Sequence, residues 1–261
     1  MNILFTIKRG FLLLLLSGTV SLIANAQSVG LLKDINTVIT NNASNPEFFA
    51  STGTLMCFAA TTDLGKELWV SDGTSGGTML LKDINPGTAS SNIANLFAYN
   101  GIIYFSATDG VNGTELWRTD GTPQGTYLFK DINAGSGNSS PAGFTVVNGI
   151  LFFSAANAAN GQELWKTDGT VGGTVMVKDI RGGAGGAEIG GLTAFNNKLV
   201  FTASASDFDS DPYISDGTAG GTFKLANINQ SGDTYPGGYY NAGGLLYFSA
   251  HNYSNSYEPW V

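Results

Sequence analysis

Glu115-Leu116-Trp117-Arg118-Thr119-Asp120-Gly121-Thr122-Pro123-Gln124-Gly125-Thr126 decides the fold, because the chain writes the same pattern 48 residues earlier and 48 residues later. Glu67-Leu68-Trp69 leads to Asp72-Gly73-Thr74, and Glu163-Leu164-Trp165 leads to Asp168-Gly169-Thr170. A fourth copy keeps the spacing with altered letters, Asp211-Pro212-Tyr213 and then Asp216-Gly217-Thr218. A fifth opens at Glu258-Pro259-Trp260. A period of about 20–50 residues marks a solenoid, a propeller or an array, so the chain must be read one repeat at a time.

Working outward from the quoted stretch, each repeat reads as four short strands. Ala94 to Tyr99 and Ile102 to Ala107 are apolar runs joined by Asn100-Gly101, the signature of a hairpin whose two turn residues need positive φ. The matching positions are Thr52-Gly53, Asn148-Gly149, Asn196-Asn197 and Gly243-Gly244. Glu115 to Thr119 is a third strand. The Asp-Gly-Thr segment is a turn, in which Asp accepts backbone amides and Gly supplies the unusual φ. Thr126 to Ile132 is the fourth strand, ending in Lys130-Asp131-Ile132. The runs are rich in Val, Ile, Phe, Tyr and Trp, alternate little, and so read as covered on both faces. A four-stranded unit of this length with two buried faces is a propeller blade. Residues 31–261 thus give an all-β chain, a β-propeller.

The fourth-strand motif also stands ahead of the first full repeat, as Leu32-Lys33-Asp34-Ile35, while the last repeat supplies three strands only. Five blades are therefore expected, the ring being closed by the N-terminal strand joining the C-terminal blade, which removes a free edge. The rival reading is a fragment of a larger propeller.

Lys8 and Arg9, the apolar run from Phe11 to Ile23, and Ala24-Asn25-Ala26 read as a signal peptide, residues 1–26, cleaved after Ala26. That run is shorter than the ~20 apolar residues of a spanning helix, and no later stretch is long or apolar enough to cross a bilayer. The mature domain, 27–261, keeps 10 basic against 20 acidic residues, a net charge of −10. Such a surface repels phosphate backbones and anionic lipid, so nucleic acid is not an expected partner. Cys57 is the sole cysteine, so no internal disulfide can staple the fold.

The sequence resembles the ELWxxDGT-repeat family of secreted bacterial proteins. Three copies meet Glu-Leu-Trp-x-x-Asp-Gly-Thr-x-x-Gly-Thr in full, at 67–78, 115–126 and 163–174. The resemblance implies export and a repeat-built β structure, and it brings no established catalytic residues.

Candidate sites lie where the repeat departs from itself. Asp207-Phe208-Asp209-Ser210-Asp211 places alternate carboxylates in a loop, as calcium needs, so Asp207, Asp209 and Asp211 are candidate Ca2+ ligands. Against this, Pro212 stands where a calcium loop has Gly and Thr218 where it has Glu. The loop His251-Asn252-Tyr253-Ser254-Asn255-Ser256-Tyr257 is the richest in hydrogen-bonding and aromatic groups. His251, Asn252, Tyr253, Asn255, Tyr257 and the nearby Trp260 are the candidate ligand contacts. Nucleophile-elbow, P-loop, dinucleotide and paired-cysteine patterns are missing. The chain therefore reads as a secreted, non-enzymatic binding module for an extracellular polysaccharide or a cell-surface ligand, glycan or protein. The alternatives are an adhesive surface scaffold and a carbohydrate-active hydrolase. Five-bladed lectins of the tachylectin type and five-bladed glycosidases are analogies of architecture alone.

Overall fold

The computed structural model describes residues 30–36, 43–229, 232–252 and 256–261. The signal segment 1–26 lies outside the described residues. The chain divides into Met1–Leu31 and a second unit, Leu32–Val261, which holds every described strand. No helix occurs among the described residues, and none is therefore long and apolar enough to cross a membrane.

Five antiparallel sheets follow one another along the chain. The first is β1 (Glu47–Ser51), β2 (Met56–Thr62), β3 (Gly65–Ser71) and β4 (Met79–Lys82). The second is β5 (Ala94–Tyr99), β6 (Ile102–Thr108), β7 (Thr114–Thr119) and β8 (Tyr127–Lys130). The third is β9 (Ala142–Val147), β10 (Ile150–Asn157), β11 (Gly161–Thr167) and β12 (Val175–Lys178). The fourth is β13 (Gly190–Phe195), β14 (Lys198–Ser204), β15 (Ser210–Ser215) and the two-residue β16 (Phe223–Lys224). The fifth has three strands, β17 (Gly237–Ala242), β18 (Leu245–His251) and β19 (Tyr257–Trp260). In every sheet the order along the chain is the order in space.

The turn chemistry works as the residue types require. Asn100-Gly101, Asn148-Gly149, Asn196-Asn197 and Gly243-Gly244 all have positive φ at both positions. The first hairpin differs: Ser51 pairs with Met56, so its turn is longer, and Thr52 N–H donates to the Leu55 carbonyl at 3.0 Å.

The repeated Leu and Trp face opposite ways. Leu68 packs with Phe105 and Trp117 of the following sheet, Leu116 with Phe153 and Trp165, and Leu164 with Phe201 and Tyr213. Trp117 and Trp165 therefore belong to the core shared with the preceding sheet, while Trp69 packs with Phe58 and Ala60 of its own sheet and with Ile35. Burial of a Trp removes ~150–250 Å² from water, roughly 4–6 kcal/mol of gross apolar stabilisation. Trp69, Trp117 and Trp165 are all buried, so these faces hold the sheets together.

The repeated Glu bridges successive sheets. Glu67 is fully buried and accepts the Ile84 amide at 2.7 Å and the Ser91 amide at 3.0 Å. Glu115 accepts the Ile132 amide at 2.6 Å, the Ser139 amide at 2.9 Å and the Ser139 hydroxyl at 2.6 Å. Glu163 accepts the amides of Ile180 at 2.9 Å and Arg181 at 3.2 Å, with Ala187 standing where the others have serine. Asp211 is one methylene shorter. It reaches the Ile228 amide only at 3.5 Å and takes Lys224 as an ion-pair partner.

The Asp-Gly-Thr-x-x-Gly-Thr segment is a self-contained turn. Asp120 Oδ1 accepts the Thr122 amide at 2.9 Å and its hydroxyl at 2.7 Å. The Thr122 hydroxyl oxygen then accepts the Gly125 amide at 3.0 Å, and the Thr126 hydroxyl donates to the Thr122 carbonyl at 2.7 Å. A Cβ on Gly125 would lie 2.0 Å from the Asp120 carboxylate, which is why glycine recurs there. The same bonds form around Asp72, Asp168 and Asp216.

The expected closing strand is not formed. Residues 32–35 carry no strand, and β19 pairs with β18 alone among the described residues. The segment packs instead beside the first sheet, with Ile35 against Phe58, Trp69 and Leu80. Its Lys33 ammonium donates to the Thr78 carbonyl at 2.6 Å. The first strands of neighbouring sheets touch in succession, β1 with β5, β5 with β9, β9 with β13 and β13 with β17. β17 and β1 make no comparable contact among the described residues.

Candidate functional site

Loops around the fourth and fifth sheets build a polar groove that gathers residues from several parts of the repeat. β14 ends at Ser204 and β15 begins at Ser210, paired across the loop that carries Asp207 and Phe208. The connection from β12 to β13 adds Arg181 and Glu188, and the connection from β16 to β17 adds Asp233 and Tyr235. Together with Ser206 these residues line a cavity of about 170 Å³.

Its polar groups are mostly fixed by their neighbours. Arg181 pairs with Asp207 and donates to the Gly186 carbonyl at 3.3 Å. Asp233 accepts the Ser210 amide at 2.8 Å through one oxygen and the Tyr235 hydroxyl at 2.9 Å through the other. That bond, with the negative charges of Asp233 and Glu188, pushes the Tyr235 phenol above its ordinary pKa. Two rings stand in solvent beside these charges: Phe208 is 80% exposed and Tyr235 52%.

The groove reaches the loop singled out from sequence. The His251 ring lies edge-on to Tyr235 at 5.8 Å and to Tyr257 at 4.0 Å. The His251 amide donates to the Thr234 carbonyl at 2.7 Å, which fixes the ring next to Tyr235. The Asn252 amide donates to the Ser256 carbonyl at 3.1 Å, closing the loop's base. Tyr253 and Asn255 lie outside the described residues. Trp260 is elsewhere. Its indole N–H donates to the Ala250 carbonyl at 3.2 Å, and it lines a separate apolar cavity of about 520 Å³ between the fourth and fifth sheets. That cavity opens where Val200 and Pro212 stand in the places of Phe152 and Leu164.

The three candidate calcium ligands are engaged by cations of the chain itself. Asp209 and Asp211 do converge, but on the Lys224 ammonium, at 2.6 and 2.8 Å. Asp207 turns away to Arg181. Among the described residues no three acidic, histidine or cysteine side chains are set to hold a metal ion. The cause is the change from Leu80, Leu128 and Met176 to Lys224 at one cross-strand position, which supplies the neutralising cation from within the sheet. Glu47 of β1 pairs with Lys66, and Glu188, just ahead of β13, faces the groove.

Arg181, Asp233 and Tyr235 were not singled out from sequence. A signal was present: Asn92, Ser140, Glu188 and Tyr235 occupy one left-handed position of the repeat. Asn suits that conformation, whereas Glu and Tyr do not.

No protein-family model matches the chain, and no curated protein matches it. Solved structures do. The acylaminoacyl peptidase of Pyrococcus horikoshii is 14% identical with a TM-score of 0.46, over 78% of this chain and 32% of that one. A puromycin hydrolase mutant is 18% identical with a TM-score of 0.47, over 78% and 32%. A chain of a nidogen/laminin complex is 13% identical with a TM-score of 0.43, over 84% and 80%. This chain spans about a third of the peptidase and hydrolase chains.

Proposed function

We propose that the five sheets are blades of a β-propeller, and that the chain is a secreted, non-enzymatic module binding an extracellular polysaccharide. The observation that carries the binding reading is the groove: exposed aromatic rings beside carboxylates, a guanidinium and serine hydroxyls. Aromatic faces stack on the apolar side of a sugar ring while the polar groups bond its hydroxyls. Departures from the repeat collect there, which suits one specific site better than one site per blade.

Ring closure belongs to the same reading. The Lys33 bond to Thr78 repeats the bonds of Lys82 to the Thr126 carbonyl, Lys130 to Thr174 and Lys178 to Thr222. Residues 32–35 thus stand towards the first sheet as each fourth strand stands towards the next sheet. β19 offers the free edge that this segment would complete.

The direct test is a glycan array probed with the mature protein and with Tyr235→Ala. Binding by the parent that the variant loses, at unchanged melting temperature, supports the reading. Absence of binding to any glycan favours a surface scaffold, which the structural use of Glu-Leu-Trp and Asp-Gly-Thr would also suit. Export is tested separately, by finding Gln27 at the N-terminus of the processed chain.

A further inference from the structure

The groove carries more negative than positive groups. Arg181 is engaged by Asp207, which leaves the carboxylates of Glu188 and Asp233 facing the cavity without an opposing cation among the described residues. Ser204 is a second, independent feature. It is 3% exposed, lines the cavity, and its hydroxyl has no hydrogen-bond partner among the described residues. The hydroxyl is thus left to whatever fills the cavity, water or a polar group of a ligand. The cavity is smaller than the ~300–1,000 Å³ of pockets for drug-sized ligands, which suits a single sugar unit. Phe208 and Tyr235 stand at its mouth, and aromatic faces attract cations as well as C–H groups.

We propose that this groove selects sugar units bearing a free amine, the ammonium being held by Glu188 and Asp233 while the ring lies on Phe208 or Tyr235. The Ser204 hydroxyl completes the contact by accepting from, or donating to, the sugar's polar edge. The inference rests on the glycan-binding reading above and narrows its ligand class. A neutral sugar would leave two carboxylates facing uncharged hydroxyls. Sugar hydroxyls also form charge-assisted bonds to carboxylates, but only an ammonium compensates their negative charge as well.

The test is calorimetric titration of the mature protein with a β-linked glucosamine tetramer and with its N-acetylated counterpart, at about pH 6, where amines are charged. The amine form should bind about tenfold tighter or more, the size of one charge-assisted contact. The preference should shrink as salt is raised. Glu188→Gln should lower binding of the amine form about tenfold and leave the acetylated form unchanged. Matching melting curves show that this variant is folded. Tyr235→Phe is a milder second variant, which should keep the preference. Equal binding of the two tetramers, or tighter binding of the acetylated one, overturns the amine selection and leaves the glycan reading standing. Failure of both to bind also overturns the amine selection, and the glycan array then decides the glycan reading. A lysine tetrapeptide that binds as tightly as the glucosamine tetramer overturns the assignment to sugars.

Discussion

The second and third sheets and the fourth and fifth sheets are built from one repeat, yet they use their polar residues differently. In the former, Glu115 and Glu163 are consumed by backbone amides at the seams, and Trp117 and Trp165 by the core. In the latter, Asp211 replaces Glu and Tyr213 replaces Trp, Lys224 replaces the apolar fourth-strand residue, and Ala226 replaces the seam lysine. The packing is looser there, an apolar cavity opens, and the groove appears beside it. Strict repetition therefore marks scaffold in this chain, and departure from it marks the groove on which the binding proposal rests.

The largest expected effect tests the seam. Glu115→Ala leaves the Ile132 and Asn133 amides without their acceptor, while the Ser139 amide keeps the Thr114 carbonyl at 3.0 Å. Each orphaned donor costs about 1–3 kcal/mol, so a total of about 3 kcal/mol is expected, or roughly 6–12 °C in melting temperature. Asp211→Ala should cost less, since its Ile228 bond is already long and Lys224 keeps Asp209. Equal losses in thermal melts would erase the distinction between the two regions.

The next effect is a pH dependence within the intact seams. Burial, with the charge of Asp179, raises the Glu163 carboxyl from the ordinary 4.5 to about 7, against the opposing pull of the Ile180 and Arg181 amides. Burial raises Glu67 and Glu115 as well. Between about 4.5 and 7 the folded chain keeps the Glu163 proton and the unfolded chain has lost it, so unfolding releases a proton. Stability should therefore fall as pH rises through this window, by about 3 kcal/mol at most for Glu163. Urea titrations at the two ends of the window measure it, and Glu163→Gln should remove most of the slope. The turn aspartates act in a different window. Thr hydroxyl and amide bonds lower Asp72, Asp120, Asp168 and Asp216 below 3.8, so their contribution is present above that value and lost further into acid.

The strand plan was legible because each strand is bounded by residues with one local use: Asn-Gly pairs for the hairpins, Asp-Gly-Thr for the turn. The sequence also singled out Asp207 and the His251 loop, which the structure brings to one groove. Their meeting through Tyr235 was hidden, because it depends on three loops that are distant along the chain. Lys224 was missed for a related reason. A strand lysine reads as a solvated side chain, and only the pairing of Tyr213 with Lys224 brings it between Asp209 and Asp211. The closing strand was legible only as a motif: Leu32-Lys33-Asp34-Ile35 fits the fourth-strand pattern, but a motif fixes what a segment can pair with and leaves open which edge it joins.

The smallest effect sharpens the comparison by finding what the two regions still share. The Asp-Gly-Thr turn is unchanged in the fourth sheet, where a Cβ on Gly221 would lie 2.0 Å from the Asp216 carboxylate, as one on Gly125 would from Asp120. Gly220, one residue earlier, has open space around it and no positive φ. Gly125→Ala and Gly221→Ala should each cost about 2 kcal/mol, because the alanine methyl must displace the carboxylate that accepts both Thr bonds. Gly220→Ala should stay within about 0.5 kcal/mol of the parent. The ratio between neighbours in one turn isolates the steric cause from any general fragility of the fourth sheet. Should Gly221→Ala prove as mild as Gly220→Ala while Gly125→Ala is costly, the divergence of the fourth sheet would extend into its turn as well as its strands.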